Sequence, residues 1–547
     1  MDIEILKKTF RGELMSNAET EGRYSEDMSI FRIVPELIAF PKDAEDVKVL
    51  VRFARDAKRL DPNVSLTARA AGTDMTGGPL NESVIVSFTE HMNIVKEISE
   101  RYAVVEPGLY FRDLEPLLDE KGVMYPPYPA SKDLCALGGM VANNSGGEKT
   151  LRYGKTEDYV EEVKLILGDG EEHTFSPLEG ILLQRKLEED GYEGNIYRKM
   201  YALLETHYDV IKAAKPDVSK NSAGYYLWNV WDRKTGIFDL TKLIVGSQGT
   251  LGLLTEATLR LIPKKKYSRL AVIFVKSLEP IPELVKSLLP LGPESIESYD
   301  DRTLSLALKF FPSLLKLMKG SLFTLALRFF PEFLMVFRGG FPKMVILVEM
   351  TSDDEAELVR RMEDIKEKME IFPVQVRLIH TDAEAEKYWT IRRQSFALIH
   401  SHAKNKYAAA FVDDIIVKPE YMPEFLPEVN AVLDKYKSEL IYTIAGHPGN
   451  GNFHIIPLMD LSDPKVRASI PKISDEIYDI VAKYKGSITA EHNDGLVRTP
   501  YLGKMYSKEI LGLFAEVKEI FDPEGIFNPG KKTHANLKYA MHHMRES

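Results

Sequence analysis

Three dense glycine clusters, each set beside a strand-like apolar run, constrain this chain more than any other feature. They are Arg69-Ala70-Ala71-Gly72-Thr73-Asp74-Met75-Thr76-Gly77-Gly78, Ala136-Leu137-Gly138-Gly139-Met140-Val141-Ala142-Asn143-Asn144-Ser145-Gly146-Gly147, and Gly246-Ser247-Gln248-Gly249-Thr250-Leu251-Gly252. Glycine admits positive φ and close backbone approach, so successive N–H groups can converge on an anion. A pyrophosphate needs such donors, and small side chains leave room for a flat ring. One cluster alone reads as a tight turn; three within one domain shift the balance towards a cradle. Two common nucleotide signatures are missing. No G-x-G-x-x-G follows a strand, which leaves a Rossmann unit unsupported. Gly154-Lys155-Thr156 imitates the end of a P-loop, but Lys149 stands where that loop needs glycine.

Around these clusters, from Val34 to about Pro263, short apolar runs alternate with turns and helical stretches, as at Val84-Ile85-Val86-Ser87-Phe88 and Val163-Lys164-Leu165-Ile166-Leu167. A helix-rich stretch covers roughly 178–215. A second region begins near Tyr267 and runs strand, helix, strand, helix, strand, which suggests a sheet covered by helices. The expected class is α+β: a helical N-terminal segment over 1–33, a ligand-binding domain over 34–265, a substrate or cap domain over 266–530, and a mobile tail over 531–547. At 547 residues the chain exceeds one compact core, so two or three domains are the prior.

Composition narrows the partners. A net charge of −11 argues against nucleic acid, whose phosphates call for a basic surface. The single Cys135 excludes an intrachain disulfide framework and reads as a small buried hydrophobe. The N-terminal segment lacks the apolar run of a secretory signal, and no stretch of about 18 apolar residues exists. The expected location is cytoplasmic, with contact at the inner face of the membrane left open.

At this point the chain resembles the FAD-binding domain of the vanillyl-alcohol oxidase and p-cresol methylhydroxylase superfamily. The order of motifs carries the likeness: the loop at 69–78, Glu106-Pro107-Gly108, the GG-x-x-x-N-x-x-GG segment at 138–147 followed by Arg152-Tyr153-Gly154, GSQGTLG at 246–252, Trp389-x-x-Arg392, and Asn528-Pro529-Gly530-Lys531. The branch it is most similar to holds D-lactate, D-2-hydroxyglutarate and glycolate dehydrogenases. The resemblance implies that the backbone of Ala71, Gly72, Thr73 and Asp74 cradles the FAD pyrophosphate. Gly138, Gly139, Asn143 and Gly146 would line the other side, Leu253 would lie near the adenine, and Arg69 and Asn528 complete the set. Ala70 and Ala71 stand where the family favours glycine, and Gln248 where it often has Glu. No histidine occupies the first loop, so the flavin is expected to be non-covalent.

The chemistry-bearing residues lie further on. Gly446-His447-Pro448-Gly449-Asn450-Gly451-Asn452-Phe453-His454 sets two imidazoles seven residues apart across a glycine-rich turn, and Ala490-Glu491-His492-Asn493-Asp494-Gly495 follows. Two histidines and a carboxylate can hold a divalent cation with positions left open, although a polar corner is the bland alternative. The resemblance implies that His447, His454 and Glu491 ligate a metal, Zn or Mn, and that His492 is the base. Asn450 replaces a frequent Asp and Asn493 a frequent Gly, which puts the ion's identity in doubt. Arg392 is the candidate for a substrate carboxylate and Lys406 a second; for Arg392, beside Arg393, the competing reading is a surface charge.

The implied reaction is FAD-dependent oxidation of a small 2-hydroxy acid, D-lactate-like, to the 2-oxo acid, with electrons passing to a quinone, a cytochrome or an electron-transfer flavoprotein. Two competing readings are an oxidase or lipid-modifying enzyme of the same fold, and a flavin-binding electron-transfer subunit. Residues 302–342 stand apart. LALKFFPSLLKLMKG from Leu306 is echoed 19 residues later by LALRFFPEFLMVFRG, and the segment sets six basic side chains against Glu332 alone. A basic stripe on an apolar body suits an interfacial membrane helix, while packing on the protein's own core is the even alternative.

Overall fold

In this computed structural model, residues 3–16, 22–309, 340–402 and 406–546 are described. The first apolar runs build a four-stranded sheet in the order Glu13–Ser16, Leu37–Phe40, Val84–Ser87, Leu66–Arg69. The last three strands are parallel, and Leu37–Phe40 and Val84–Ser87 are buried throughout. That is why these runs carry no polar alternation: both faces are covered. Alternate residues divide between two cores. Leu37, Ala39, Val84 and Val86 meet Val47, Leu50 and Val51 of the helix Ala44–Lys58, while Ile38, Phe40 and Ile85 face the opposite side. Asp43 starts that helix by accepting from the N–H groups of Glu45 and Asp46. The first glycine cluster leaves the C-terminal end of Leu66–Arg69, where open parallel sheets present their ligand crevices.

A second, antiparallel sheet follows the order Val95–Ile98, Tyr102–Val105, Leu253–Arg260, Val160–Ile166, Glu172–Phe175. The second glycine cluster forms the short helix Leu137–Asn143, which ends on Asn144 in the left-handed region at φ 51°. The third cluster feeds directly into Leu253–Arg260. The expected helix-rich stretch is present as Gly180–Glu188, Tyr192–Thr206 and Tyr208–Ala213.

The second half is built on a larger sheet whose path runs Val374–Ile379, Tyr267–Val275, Met344–Ser352, Ser295–Asp300, Leu440–His447, Asn452–Met459, Tyr407–Ala408. Tyr267–Val275 and Met344–Ser352 pair along nine residues, and their alternation again sorts two cores. Ala271, Ile273 and Val275 share one cluster with Leu358 and Ile365 of the helix Glu355–Met369. Leu270, Val272 and Phe274 share another with Tyr388 and Ile391 of the helix Asp382–His402. The two histidine-bearing runs form a hairpin that pairs Ala445 with His454 and His447 with Asn452.

Two expectations at the ends give way. Among the described residues of 1–33 only Ile3–Leu6 is helical; Glu13–Ser16 instead pairs antiparallel with Leu37–Phe40, because an open sheet edge offered the hydrogen bonds. The tail is anchored rather than free: Leu537–His542 is a helix, and the Arg545 guanidinium donates to the carbonyls of Asp27 and Phe31 and pairs with Glu26. Cys135 is buried, and burial pushes its thiol up to about 12, in keeping with an inert role. Among the described residues no helix is long and apolar enough to cross a membrane. The repeated insert falls mainly on 310–339, outside the described residues.

Candidate functional site

Main-chain hydrogen bonds draw the glycine clusters into one wall. Gly246 and Gln248 donate from their backbone N–H groups to the carbonyls of Val141 and Ala142, each at 2.9 Å. The Asn143 amide donates to Asp74 Oδ1 at 2.9 Å, and Asp74 Oδ2 accepts from the N–H groups of Thr76 and Gly78. Asn528 closes the arrangement, donating to the carbonyls of Gly78 at 3.0 Å and Gln248 at 2.7 Å. The resulting cleft is lined by Ala71 to Asp74 on one side and by Gly138, Gly139 and Asn143 on the other. Gly72 sits at φ +73° directly over the Arg69 guanidinium, which a Cβ there would strike. A wall of glycine, alanine and backbone N–H groups fits a flat ring carrying a pyrophosphate.

Three expected cofactor residues take other positions. Arg69 is buried beneath its loop, donating to the carbonyls of Arg23 and Glu26 at 2.8 and 2.7 Å. Leu253 points into the core behind the cleft, and strand alternation brings Leu254 to the lining instead. Gly146 lies at the seam with the second site: a Cβ on it would come within 3.0 Å of Glu491 Oε2.

Across that seam the three candidate ligands converge. His447 Nε2 and His454 Nε2 lie 3.2 Å apart, and each is 3.3 Å from Glu491 Oε1. Atoms spaced in this way can all reach one ion at about 2.0–2.1 Å, the span of Zn–N and Zn–O bonds. The outer nitrogens are spoken for: His447 Nδ1 is bonded to Glu297, and His454 Nδ1 lies 3.0 Å from the Asp413 carbonyl. Such partners fix the imidazoles of metal sites. Asp414, His454, Glu491 and His492 also offer ligand atoms within 4.8 Å of one another. However, Asp414 Oδ2 is saturated by the N–H groups of Ala490, Glu491 and His492 and by the Thr489 hydroxyl, at 2.7–2.8 Å. The trio containing His447 is therefore the better cation site, and its residues fit a divalent ion.

Electrostatics agree with close packing of charge. Burial penalises the Glu491 carboxylate, but Lys220 and His447 outweigh this and hold it well below the usual carboxylate range. Lys220 Nζ, fully buried, contacts Glu491 Oε2 at 3.0 Å. Burial lowers His454 below its ordinary value. His492 is opposed by burial yet pushed up to about 9 by Asp413 and Asp414; a cation on the neighbouring trio would favour its neutral form. The His492 ring stacks on His454 at 4.9 Å and 12°.

Arg392 reaches the cluster through Glu297 Oε2 at 3.1 Å and is largely buried, so the surface-charge reading does not apply to it. Arg393 beside it pairs with Glu148 through both carboxylate oxygens. Lys406 stands just before Tyr407–Ala408, where its charge is felt by Asp460, the far end of the strand from His454. No described contact brings it to the trio. Lys220, Glu297, Asp413 and Asp414 were missed because they arrive from distant parts of the chain with no spacing pattern, and Arg498 because its partner Asp413 does. Asn493, in the left-handed region at φ 72°, joins the sites by donating to the carbonyls of Asn143 and Gly246 at 3.2 and 2.9 Å.

Residues 35–176 match the FAD binding domain model, and residues 264–532 match the model of the C-terminal domain of FAD linked oxidases. The chain thus carries an FAD binding domain followed by a C-terminal domain of the FAD linked oxidase type. Its relatives include a D-2-hydroxyglutarate dehydrogenase of Pseudomonas putida, 29% identical over 97% of this chain and 51% of that protein. The chain thus spans about half the length of that relative. A glycolate oxidase subunit GlcD of Bacillus subtilis is 25% identical over 92% and 89%, and a D-lactate dehydrogenase of Anaerostipes hadrus 24% identical over 92% and 91%. Among solved structures, 4-ethylphenol oxidase from Gulosibacter chungangensis superposes with a TM-score of 0.69 at 17% identity, covering 98% of this chain and 97% of that one. For p-cresol methylhydroxylase the TM-score is 0.65 at 14% identity, covering 95% and 94%. The α+β fold is of the p-cresol methylhydroxylase type.

Proposed function

We propose that this chain is an FAD-dependent dehydrogenase that oxidises a small D-2-hydroxy acid to the 2-oxo acid. The observation that carries the reading is the meeting of His447, His454 and Glu491 at the wall of the FAD cleft, with His492 stacked alongside. The names of the relatives, which refer to D-2-hydroxyglutarate, D-lactate or glycolate, support the substrate class, and the first two support its handedness. Bound FAD supplies the hydride acceptor for the C2–H bond. The trio would hold a divalent cation, Zn or Mn, which supplies Lewis acidity towards the substrate oxygens.

The chain's own residues do the rest. His492 takes the proton of the C2 hydroxyl as that carbon gives up its hydride. Arg392, braced by Glu297, presents a bidentate guanidinium to the C1 carboxylate. Lys406 is a second carboxylate partner only if substrate extends towards Asp460. Electrons would leave to a quinone, a cytochrome or an electron-transfer flavoprotein, and 302–342 is the proposed contact with an anionic membrane surface.

Anaerobic titration of the FAD-loaded protein with a panel of D- and L-2-hydroxy acids tests the reading. Flavin bleaching by at least one D-acid is expected; a flavin that stays oxidised with every acid would overturn it.

A further inference from the structure

One residue touches both imidazoles of the reacting edge. The Asp413 carbonyl lies 3.0 Å from His454 Nδ1, and its carboxylate Oδ2 lies 2.8 Å from His492 Nδ1. A carbonyl and a carboxylate oxygen only accept, so in the neutral form of each ring, the form a bound cation favours, the proton sits on Nδ1 and Nε2 is bare. The two rings are nearly parallel, at 12°, and both are pinned at the same end. His454 Nε2 points to the trio, 3.2 Å from His447 Nε2, and the His492 ring lies alongside it. The other carboxylate oxygen of Asp413 is paired with the fully buried Arg498, which also donates to the Asn493 carbonyl at 3.0 Å. Asp414, next in the chain, holds the backbone of 490–492 in place through Oδ2.

We propose that Asp413 is the positioning residue of this site, setting tautomer and aim for both His454 and His492, with Arg498 as the counter-charge that fixes it. The inference rests on the reading of His454 as a ligand and His492 as the base. The two histidines differ in which part of Asp413 they use, and this separates their roles by mutation. Replacing the carboxylate by an amide offers N–H groups as well as an oxygen to His492 Nδ1, so the ring is no longer held in one tautomer. The main-chain carbonyl under His454 is unchanged.

The test uses the FAD-loaded protein. Asp413→Asn is compared with His492→Ala by anaerobic stopped-flow, alongside FAD and metal content. Because the single variant leaves Arg498 buried without its charge partner, Asp413→Asn combined with Arg498→Met removes both charges together. In both forms the limiting rate of flavin reduction is expected to fall about 100-fold or more, within the range of a general base lost. Apparent substrate affinity should stay within about threefold, and FAD and metal content should match wild type. A folded Asp413 variant that reduces its flavin at the wild-type rate, while His492→Ala does not, overturns the proposal alone. So does a loss confined to substrate affinity. An unchanged rate in His492→Ala overturns the base reading and the proposal with it.

Discussion

The two sites share a seam but are made of different material. The FAD cleft is built from main chain: its wall is glycine, alanine and N–H groups, and the side chains that matter there, Asp74, Asn143 and Asn528, serve mainly to hold loops. The neighbouring cluster is built from side chains, with Glu491, Lys220, His447, Glu297 and Arg392 in one buried, charge-linked chain. In the first region Gly72 and Gly138 leave no room for a Cβ; the second cannot accept a lost charge. Each should therefore fail by its own route, and variants should separate the two.

The largest effect is expected from Arg392→Ala. Truncating one partner of a buried charge pair costs roughly 2–5 kcal/mol, and here Glu297 would be left without it. Substrate affinity measured by flavin bleaching should fall by that amount with FAD fully retained; unchanged affinity would return Arg392 to a structural role. Next is Glu491→Gln, which should lower Zn or Mn retention, read by metal analysis, at least by the roughly 10–100-fold that losing a ligand's supporting partner costs, and slow flavin reduction in step. Full metal content with full activity would remove the trio from the reading. The smallest is Gly72→Ala. Positive φ on a residue with a Cβ costs about 1–3 kcal/mol, and Arg69 must shift as well. FAD affinity in reconstitution titrations should drop about tenfold, with metal content untouched once FAD is saturating. A variant that loses metal as readily as FAD would break the contrast.

Much of this was legible in the residues. The glycine clusters and the His447–His454 pair were legible because each is local: close spacing in the chain becomes closeness in space across a turn, whereas Glu491, 44 positions from His447, was joined to them only by the family resemblance. The strands Tyr267–Val275 and Met344–Ser352 were legible because buried apolar runs have few alternatives. Three kinds of feature escaped. Lys220 and Glu297 reach the cluster from 271 and 150 positions away, so no motif announces them. Asp413 and Asp414 look like an exposed acidic pair until the loop at 489–492 folds onto them. At the ends, pairing partners decided the outcome. The edge strand Glu13–Ser16 and the clasp of Arg545 depend on elements elsewhere in the chain, which local patterning cannot anticipate.

The Asn493 tether has a thermodynamic consequence. Its amide is bonded to carbonyls in two of the three glycine clusters, while its chain neighbours Glu491 and His492 belong to the other site. Ordering the flavin wall then orders the loop that carries the ligand carboxylate, and the reverse holds to the same degree. Linkage makes such coupling reciprocal: if FAD tightens the cation by some factor, the cation tightens FAD by that same factor. The two loadings would then be linked in part, and chelation would weaken, without abolishing, the hold on a flavin that the chelator never touches.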